Sequence, residues 1–548
     1  MNSASTAQRL KLLQDLPLDV LLELISFLPV PDALSLVSTS QRLHILRSNH
    51  SFWHILVQTL RHSSIPLACP SFVDWTQNLK TLALRTLQRQ QILSSPSPHP
   101  VRVSKYLGYT RDIESISPIS GTNLYLTCDS TDGRAKCWDL TKGTVLSEIF
   151  IGRNILAKST LSAEKGRFLV CLLVAETTHE FVATSVVVLR LDYDVLINNS
   201  PSLSYSYSNV QLSVLHRSSL DATFPAMYPS CAINDQGLIV ITKMATSIHL
   251  IAINVNTDVK YVIETDLTEL ELDSVDLSFS EKDLIITASN SRSSWMYRCS
   301  KDNLPYSDSD VTGSRQELKL LSSSTDMPSP TTTLSYERCG FYASGIQTTN
   351  HSTTSPKNRL ATTAYYVTQC GRERYTECCF WDFDLAQIDG VIHTQAAHQC
   401  RLPGLQFFEV PCSGSESGAW GVFICDVDLD MDGVFADHDF EVDVGVNLTA
   451  ANVARNTEFA RTAHLPIDSE NSKPEIFLVH YDAFTRTSSV HRPVLPKSLP
   501  DFCESRLVPP PYSWVNDIKS IEFDERLGIL YIMMEGLEGG VLCGIEFL

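Results

Sequence analysis

The chain has 548 residues and a formal net charge of -19, with 43% hydrophobic and 19% charged residues. That is ample apolar material for more than one buried core, and it does not read as a disordered polymer. The charge is uneven: residues 1–95 hold 8 Lys and Arg against 5 Asp and Glu, and the remainder hold 35 against 57; so acidic a body repels a phosphate backbone, which argues against nucleic acid and for a basic peptide or protein as partner.

From Leu16 to about Leu93 the apolar residues recur at helical spacing. Pro17 suits the first turn of a helix, where its missing N–H would be unpaired anyway, and Leu21, Leu24, Ile25 and Leu28 follow at i, i+3, i+4 and i+7 as one stripe. Pro29 and Pro31 predict a stop. Asp32 is expected to cap a second short helix with Leu34, Leu36 and Val37, and Ser40 a third through Leu43 and Leu46; Phe52, Trp53 and Leu56 close the unit. So small a unit cannot bury all its apolar surface internally, which predicts a face that needs a partner. The prolines of Ser94–Pro100, SSPSPHP, end the helical part and favour an extended spacer.

LQDLPLDVLLELISFLPVPDALSLVSTSQRLHILRSNHSFWHILV, residues 13–57, resembles an F-box. The opening Leu-Pro, the helix with spaced Leu and Ile, the Leu-Pro-x-x-Asp break, the Leu-x-x-Val-Ser segment and the closing Trp occur in that family's order. The resemblance implies that Leu16, Pro17, Val20, Leu21, Leu24, Leu36 and Val37 lie on or beside the face that packs against a Skp-type adaptor. It further implies that Ile25, Leu28, Leu34, Leu43 and Trp53 hold the helices together.

Beyond Val101 the apolar residues come in short runs rich in Val, Ile, Tyr and Leu, separated by Gly, Asn, Asp and Ser. Tyr125–Leu140, YLTCDSTDGRAKCWDL, predicts two strands around a Thr131-Asp132-Gly133 turn and resembles a WD-repeat hairpin. Further strand pairs are Arg167–Val174 with Val182–Leu191, Gly237–Thr242 with Ile248–Ile253, and Leu284–Ala288 with Ser294–Arg298; Cys379–Phe383 repeats the Trp-Asp ending. Ile518–Leu548 divides into three strands at Glu525-Arg526 and Glu535–Gly540. Such a recurrence predicts radial blades, about seven, with Val103–Leu107 supplying a strand to the last and closing the ring. A β-sandwich pair or a divergent solenoid is the alternative. Asn198–Asn209, Asp302–Thr332 and Thr348–Pro356 are rich in Ser, Thr, Asn, Asp and Pro and read as excursions from the rim.

The expected architecture is thus multidomain, α plus all-β. Residues 1–12 form a disordered N-terminus, 13–60 the F-box, 61–100 a helical connector with a Pro/Ser linker, and 101–548 a β-propeller that binds substrate.

Chemistry-bearing motifs are sparse. Asp426-Val-Asp428-Leu-Asp430-Met-Asp432-Gly433 has the start of a calcium loop, but position 12 counted from Asp428 is Asp439 rather than a bidentate Glu, so an acidic inter-strand turn is the expectation. The 15 cysteines lack C-x-x-C pairs and read as buried thiols. No G-x-S-x-G, G-x-x-x-x-G-K or H-E-x-x-H occurs, so neither catalysis nor a metal or other cofactor is expected. The longest purely apolar run, Phe168–Ala175, is far short of the roughly 20 residues of a membrane span, and no signal-like start follows Met1; a soluble, cytoplasmic or nuclear protein is expected.

The resemblance implies a non-catalytic specificity subunit of a Skp-cullin-F-box ubiquitin ligase. The F-box would join the adaptor, and through it the cullin and RING subunit, while the propeller holds a protein substrate. The alternatives are an F-box scaffold or chaperone without ubiquitin transfer, and a propeller acting as a hydrolase or lectin-like binder.

Overall fold

In the computed structural model the described residues are 13, 16–61, 67, 78–109, 113–129, 132–163, 166–177, 182–197, 205–220, 230–244, 247–268, 274–279, 283–289, 294–300, 341–349, 359–366, 368–369, 375–384, 393–403, 405–406, 413–414, 420–428, 472–482, 487–495, 518–535 and 540–547. Residues 1–12, for which a disordered N-terminus is expected, lie outside them.

The helical part comprises α1 (Leu18–Ser26), α2 (Val30–Leu36), α3 (Gln41–His44), a 3-10 turn at Ile45–Ser48, α4 (His50–Arg61) and α5 (Leu79–Leu93). Pro17 is the N-cap of α1 and not its first helical residue. α2 begins earlier than the sequence predicts. Pro29 caps it and Pro31 sits in its first turn, where no N–H is missed, so Asp32 falls inside the helix and makes no cap. Ser40 does cap α3, its hydroxyl accepting the Leu43 N–H at 3.2 Å. Leu21, Ile25, Val30, Ala33, Val37, Leu43, Phe52, Trp53 and Leu56 form one core. Trp53 meets Phe52 edge-on at 5.1 Å, and its indole N–H donates to the Arg47 carbonyl at 2.7 Å.

The strands follow in chain order. β1 (Arg102–Tyr109) leads to a first meander of β2 (Ile113–Pro118), β3 (Leu124–Asp129), β4 (Arg134–Asp139) and β5 (Thr144–Phe150). The second is β6 (Ile155–Ala163), β7 (Arg167–Thr177), β8 (Val182–Ile197) and β9 (Tyr205–Ser219). The third is β10 (Cys231–Ile233), β11 (Leu238–Met244), β12 (Ser247–Asn254) and β13 (Lys260–Thr268). A fourth sheet holds β14 (Ser274–Phe279), β15 (Asp283–Ser289) and β16 (Ser294–Ser300). The fifth holds β17 (Phe341–Thr349), β18 (Arg359–Tyr366), β19 (Thr368–Gln369), β20 (Tyr375–Asp384) and β21 (His393–Pro403). The sixth is β22 (Leu405–Gln406), β23 (Ser413–Gly414), β24 (Trp420–Asp428), β25 (Ser472–Asp482) and β26 (Thr487–His491). The last is β27 (Ile518–Asp524), β28 (Ile529–Glu535) and β29 (Gly540–Glu546), completed by β1, which pairs antiparallel with β29 from Arg102↔Glu546 to Tyr109↔Gly540.

The sheets close into a ring, and where the side chains are described in β7 and β28 both faces of the sheet are apolar. Along β7, Phe168, Val170, Leu172 and Val174 pack toward the first sheet, while Leu169, Cys171 and Leu173 pack toward the third. This is why FLVCLLVA is continuously apolar without crossing a membrane. β28 repeats the logic: Leu530, Ile532 and Met534 face the sixth sheet, and Ile529, Tyr531 and Met533 face Tyr125 and Leu140 of the first. β14 lies next to β10 and β17, and β21 next to β26, so successive sheets are neighbours around the circle. The architecture is a β-propeller whose last sheet is closed by the strand nearest the helical part, which removes two open edges.

Gly133 ends the predicted turn between β3 and β4 with φ +66°, and a Cβ there would stand 2.9 Å from the Phe150 ring. Trp138 then donates to Thr127 Oγ1 at 2.9 Å, and the buried Asp139 accepts the Thr141 N–H at 3.0 Å, so the Trp-Asp ending braces the next turn. Tyr205–Asn209, read from sequence as part of a rim excursion, belongs to β9, and Thr348 and Thr349 close β17; Asp302–Thr332 lies outside the described residues.

Candidate functional site

The candidate site is the side of the helical unit left open by the rest of the chain. α1 carries Leu21 and Ile25 inward, 100° apart from residues that stay in solvent. Pro17, Leu18, Val20 and Leu24 are exposed, and Leu16 and Leu36 are half-buried against the core. Phe27, which follows α1, is 77% exposed, and Ile45, at the start of the 3-10 turn, is 65% exposed. Large apolar groups so bare, and so close along one unit, are what an interaction surface presents.

Of the residues expected on this face, Pro17, Val20 and Leu24 are available for contact and Leu16 and Leu36 partly so. Leu21 and Val37 are not: they are 6% and 0% exposed, because the i and i+4 positions of α1 and the C-cap of α2 are where α4 packs. Ile25, Leu43 and Trp53 are core residues, as expected, with Leu28 and Leu34 packed beside them. Phe27 and Ile45 escape a search for helical stripes, since one follows the end of a helix and the other starts a 3-10 turn. A large apolar residue stranded beside a helix-ending proline was the available signal.

The opposite side of the unit is covered. α5 lays Leu79, Leu82 and Ala83 on the helical core and carries Leu93 into the core shared by the sixth and last sheets. Between them the fully buried Arg89 donates from Nη1 to the Arg526 carbonyl in the β27–β28 turn, where Asp524 and Glu525 are buried too. The Pro/Ser stretch, which turns at Ser94 and bends through Ser95–Ser97, is bound to the ring: the Arg492 and Val494 N–H groups donate to the carbonyls of Pro96 and Pro98 at 2.9 and 3.0 Å. His491 adds a 2.8 Å hydrogen bond from Nδ1 to the Ser95 carbonyl.

In an antiparallel meander the β2–β3 and β27–β28 turns share one end and the β3–β4 turn and β5–β6 link the other. The helical unit occupies the first end, so among the described residues the second is the propeller's open face. There, in the first sheet, Lys136 pairs with Asp132 at 2.5 Å and Asp129 at 3.4 Å, and Arg134 with Glu148 at 2.5 Å. These cations are neutralised locally and do not form an anion pocket.

Among the described residues no cluster of three His, Cys, Asp or Glu could hold a metal. Asp426 and Asp428 fall in β24, and residues 429–432 of the acidic motif lie outside the described part. Cys128, Cys137, Cys171, Cys231, Cys425 and Cys543 are buried. Burial pushes the Cys137 thiol up to about 12, with Asp139 adding to the effect, so it stays protonated. No described helix is long and apolar enough to cross a membrane.

Residues 13–55 match the F-box domain model. No curated protein matches the chain. Among solved structures the chain is similar to the β-propeller domain of Myceliophteria thermophila Cps50 (Swd1), at 9% identity and TM-score 0.36 over 81% of this chain and 99% of that one. It is also similar to the WD40 domain of SCAP from fission yeast, at 8% identity and TM-score 0.33 over 81% and 98%. At these TM-scores the superpositions are loose, and the propeller assignment stands on the sheet order and the closure by β1. The chain therefore joins an F-box domain at residues 13–55 to a β-propeller of antiparallel sheets.

Proposed function

We propose that this protein is the substrate-recognition subunit of a Skp-cullin-F-box ubiquitin ligase. The F-box binds a Skp-type adaptor, and through it a cullin and a RING subunit, and the propeller holds a target protein. The observation that supports this reading most directly is the bare apolar surface of Pro17, Val20, Leu24, Phe27 and Ile45 on a helical unit that α5 ties to the propeller. The adaptor face is therefore assigned to these residues with Leu16 and Leu36 at its margin, and Leu21 and Val37 support it from beneath. The chain contributes recognition; a target held beside the transferring enzyme gains effective concentration, and that selects what is modified.

The test is a pull-down of the full chain on a purified Skp-type adaptor, followed by addition of cullin and RING subunits. Recovery of all components, lost when Leu24 and Phe27 are changed to Asp, is the expected result. No adaptor binding by the wild type would overturn the proposal. Adaptor binding without cullin would turn it into a scaffold or chaperone without ubiquitin transfer.

A further inference from the structure

β8 and β9 outgrow their sheet. β7 begins pairing at Arg167↔Asp192, yet β8 continues to Ile197 and β9 starts at Tyr205, so the two strands run on as a two-stranded ribbon paired from Asp194↔Ser208 to Ile197↔Tyr205. The corresponding strands of the first sheet, β4 and β5, stop after 6 and 7 residues. Five residues at about 3.3 Å each carry the ribbon roughly 17 Å beyond its sheet. It projects at the end of the propeller where the F-box sits.

An isolated ribbon of this kind is marginal in water, and here it is held from two sides. Val195 and Tyr207 pack against the core that the F-box helices share with α5, and also against the core between the first two sheets. Tyr207 is the bridge. Its hydroxyl accepts the Asn123 N–H at 2.7 Å in the β2–β3 turn of the neighbouring sheet, and its ring meets the buried Tyr193 edge-on at 6.4 Å. The same turn is tied to the last sheet, because the Gly121 N–H donates to Asp524 at 2.9 Å.

We infer that the extended end of the β8–β9 ribbon is a clasp that locks the F-box onto the propeller, so that the docking helices and the target-holding ring move as one body. The clasp approaches the F-box from the second sheet, and α5 holds it from the sixth and last, so the unit is gripped at two separated points of the ring. A hinge at a single linker would let the propeller swing; two anchors remove that freedom. The consequence for ubiquitin transfer, a fixed orientation of the open face relative to the adaptor, rests on the proposed function. The clasp itself rests only on the contacts of Val195 and Tyr207.

The experiment is amide hydrogen exchange on the full chain, comparing wild type, Tyr207→Ala, Tyr207→Phe and Val195→Thr. Exchange in α1 and α4 is expected to rise about tenfold or more in Tyr207→Ala while β11 and β12 keep their protection, with a smaller rise in Tyr207→Phe, which retains the ring. Unchanged protection of α1 and α4 in a folded Tyr207→Ala overturns the clasp. If that variant also loses protection in β11 and β12, Val195→Thr decides: a rise confined to the F-box supports the clasp, and no change there overturns it. Adaptor pull-down of the same proteins separates the two ideas, since loss of adaptor binding by the wild type removes the ligase reading and leaves the exchange result standing.

Discussion

Two residues of the F-box that look alike in sequence have opposite duties. Leu21 is buried under α4, and Phe27 is 77% exposed. Truncating Leu21 to Ala leaves a cavity and should cost about 2–4 kcal/mol of folding stability. Truncating Phe27 to Ala should leave stability within about 0.5 kcal/mol yet weaken adaptor binding about 10–100-fold if it anchors the contact. Urea unfolding and a titration with the adaptor check both; an unaltered affinity in Phe27→Ala would remove that residue from the face. The division between them was only half legible. The stripe Leu21, Leu24, Ile25, Leu28 fixes which side of α1 is apolar, but a stripe wider than one contact cannot say which of its edges meets α4. Only the placement of α4 decides that Leu21 and Val37 go inside while Leu24 stays in solvent.

Elements made from short apolar runs bounded by turn residues were the legible ones. β7, β11 with β12, and β15 with β16 appear within a few residues of their predicted bounds, because an apolar run with a turn at each end leaves little choice, whereas β8 overruns its predicted end at Leu191 to reach Ile197. The ribbon was not legible. Tyr205-Ser-Tyr-Ser-Asn209 has the polar composition of a loop, since beyond the end of β7 the ribbon meets the helical core and not another strand of its sheet. α5 holds a comparable case: Arg89 sits in a helix rich in Arg, Lys and Gln, a composition that singles out no position for burial. It is instead fully buried at the β27–β28 turn, donating to the Arg526 carbonyl. Arg89→Met keeps the length of the side chain and deletes the donor to the Arg526 carbonyl. It should therefore cost about 1–3 kcal/mol and lower the protection of α5 against exchange. An Arg89→Met protein as stable as the wild type would show that the guanidinium adds nothing to the joint.

At the scale of the whole molecule, one stretch of chain serves two purposes: α5 and the segment after it bind the sixth and last sheets, and β1 then closes the ring. Attachment of the F-box and closure of the propeller are therefore linked, and the joint between them is sensitive to acid. His491 lies within it, with Nδ1 at 2.8 Å from the Ser95 carbonyl and Nε2 at 2.8 Å from Ser489 Oγ, beside the buried indole of Trp420. A carbonyl only accepts, so Nδ1 carries the proton and the neutral ring accepts the Ser489 hydroxyl at Nε2. Burial holds the His491 pKa below its ordinary 6.5, opposed by the bond to Ser95, and burial likewise lowers that of His216, where Asp258 opposes and Lys260 reinforces. In the window below 6.5 the unfolded chain takes up protons that the folded chain refuses, so stability falls with pH until the folded imidazoles also titrate, and above 6.5 these groups contribute no slope. Chemical unfolding at steps from pH 7.5 to 5 should therefore show a decline beginning near 6.5. His491→Gln should make that decline shallower, with His216 supplying what remains. A His491→Gln protein with the wild-type slope would mean that the joint tolerates a charged ring, and the acid sensitivity would have to be sought elsewhere in the ring of sheets.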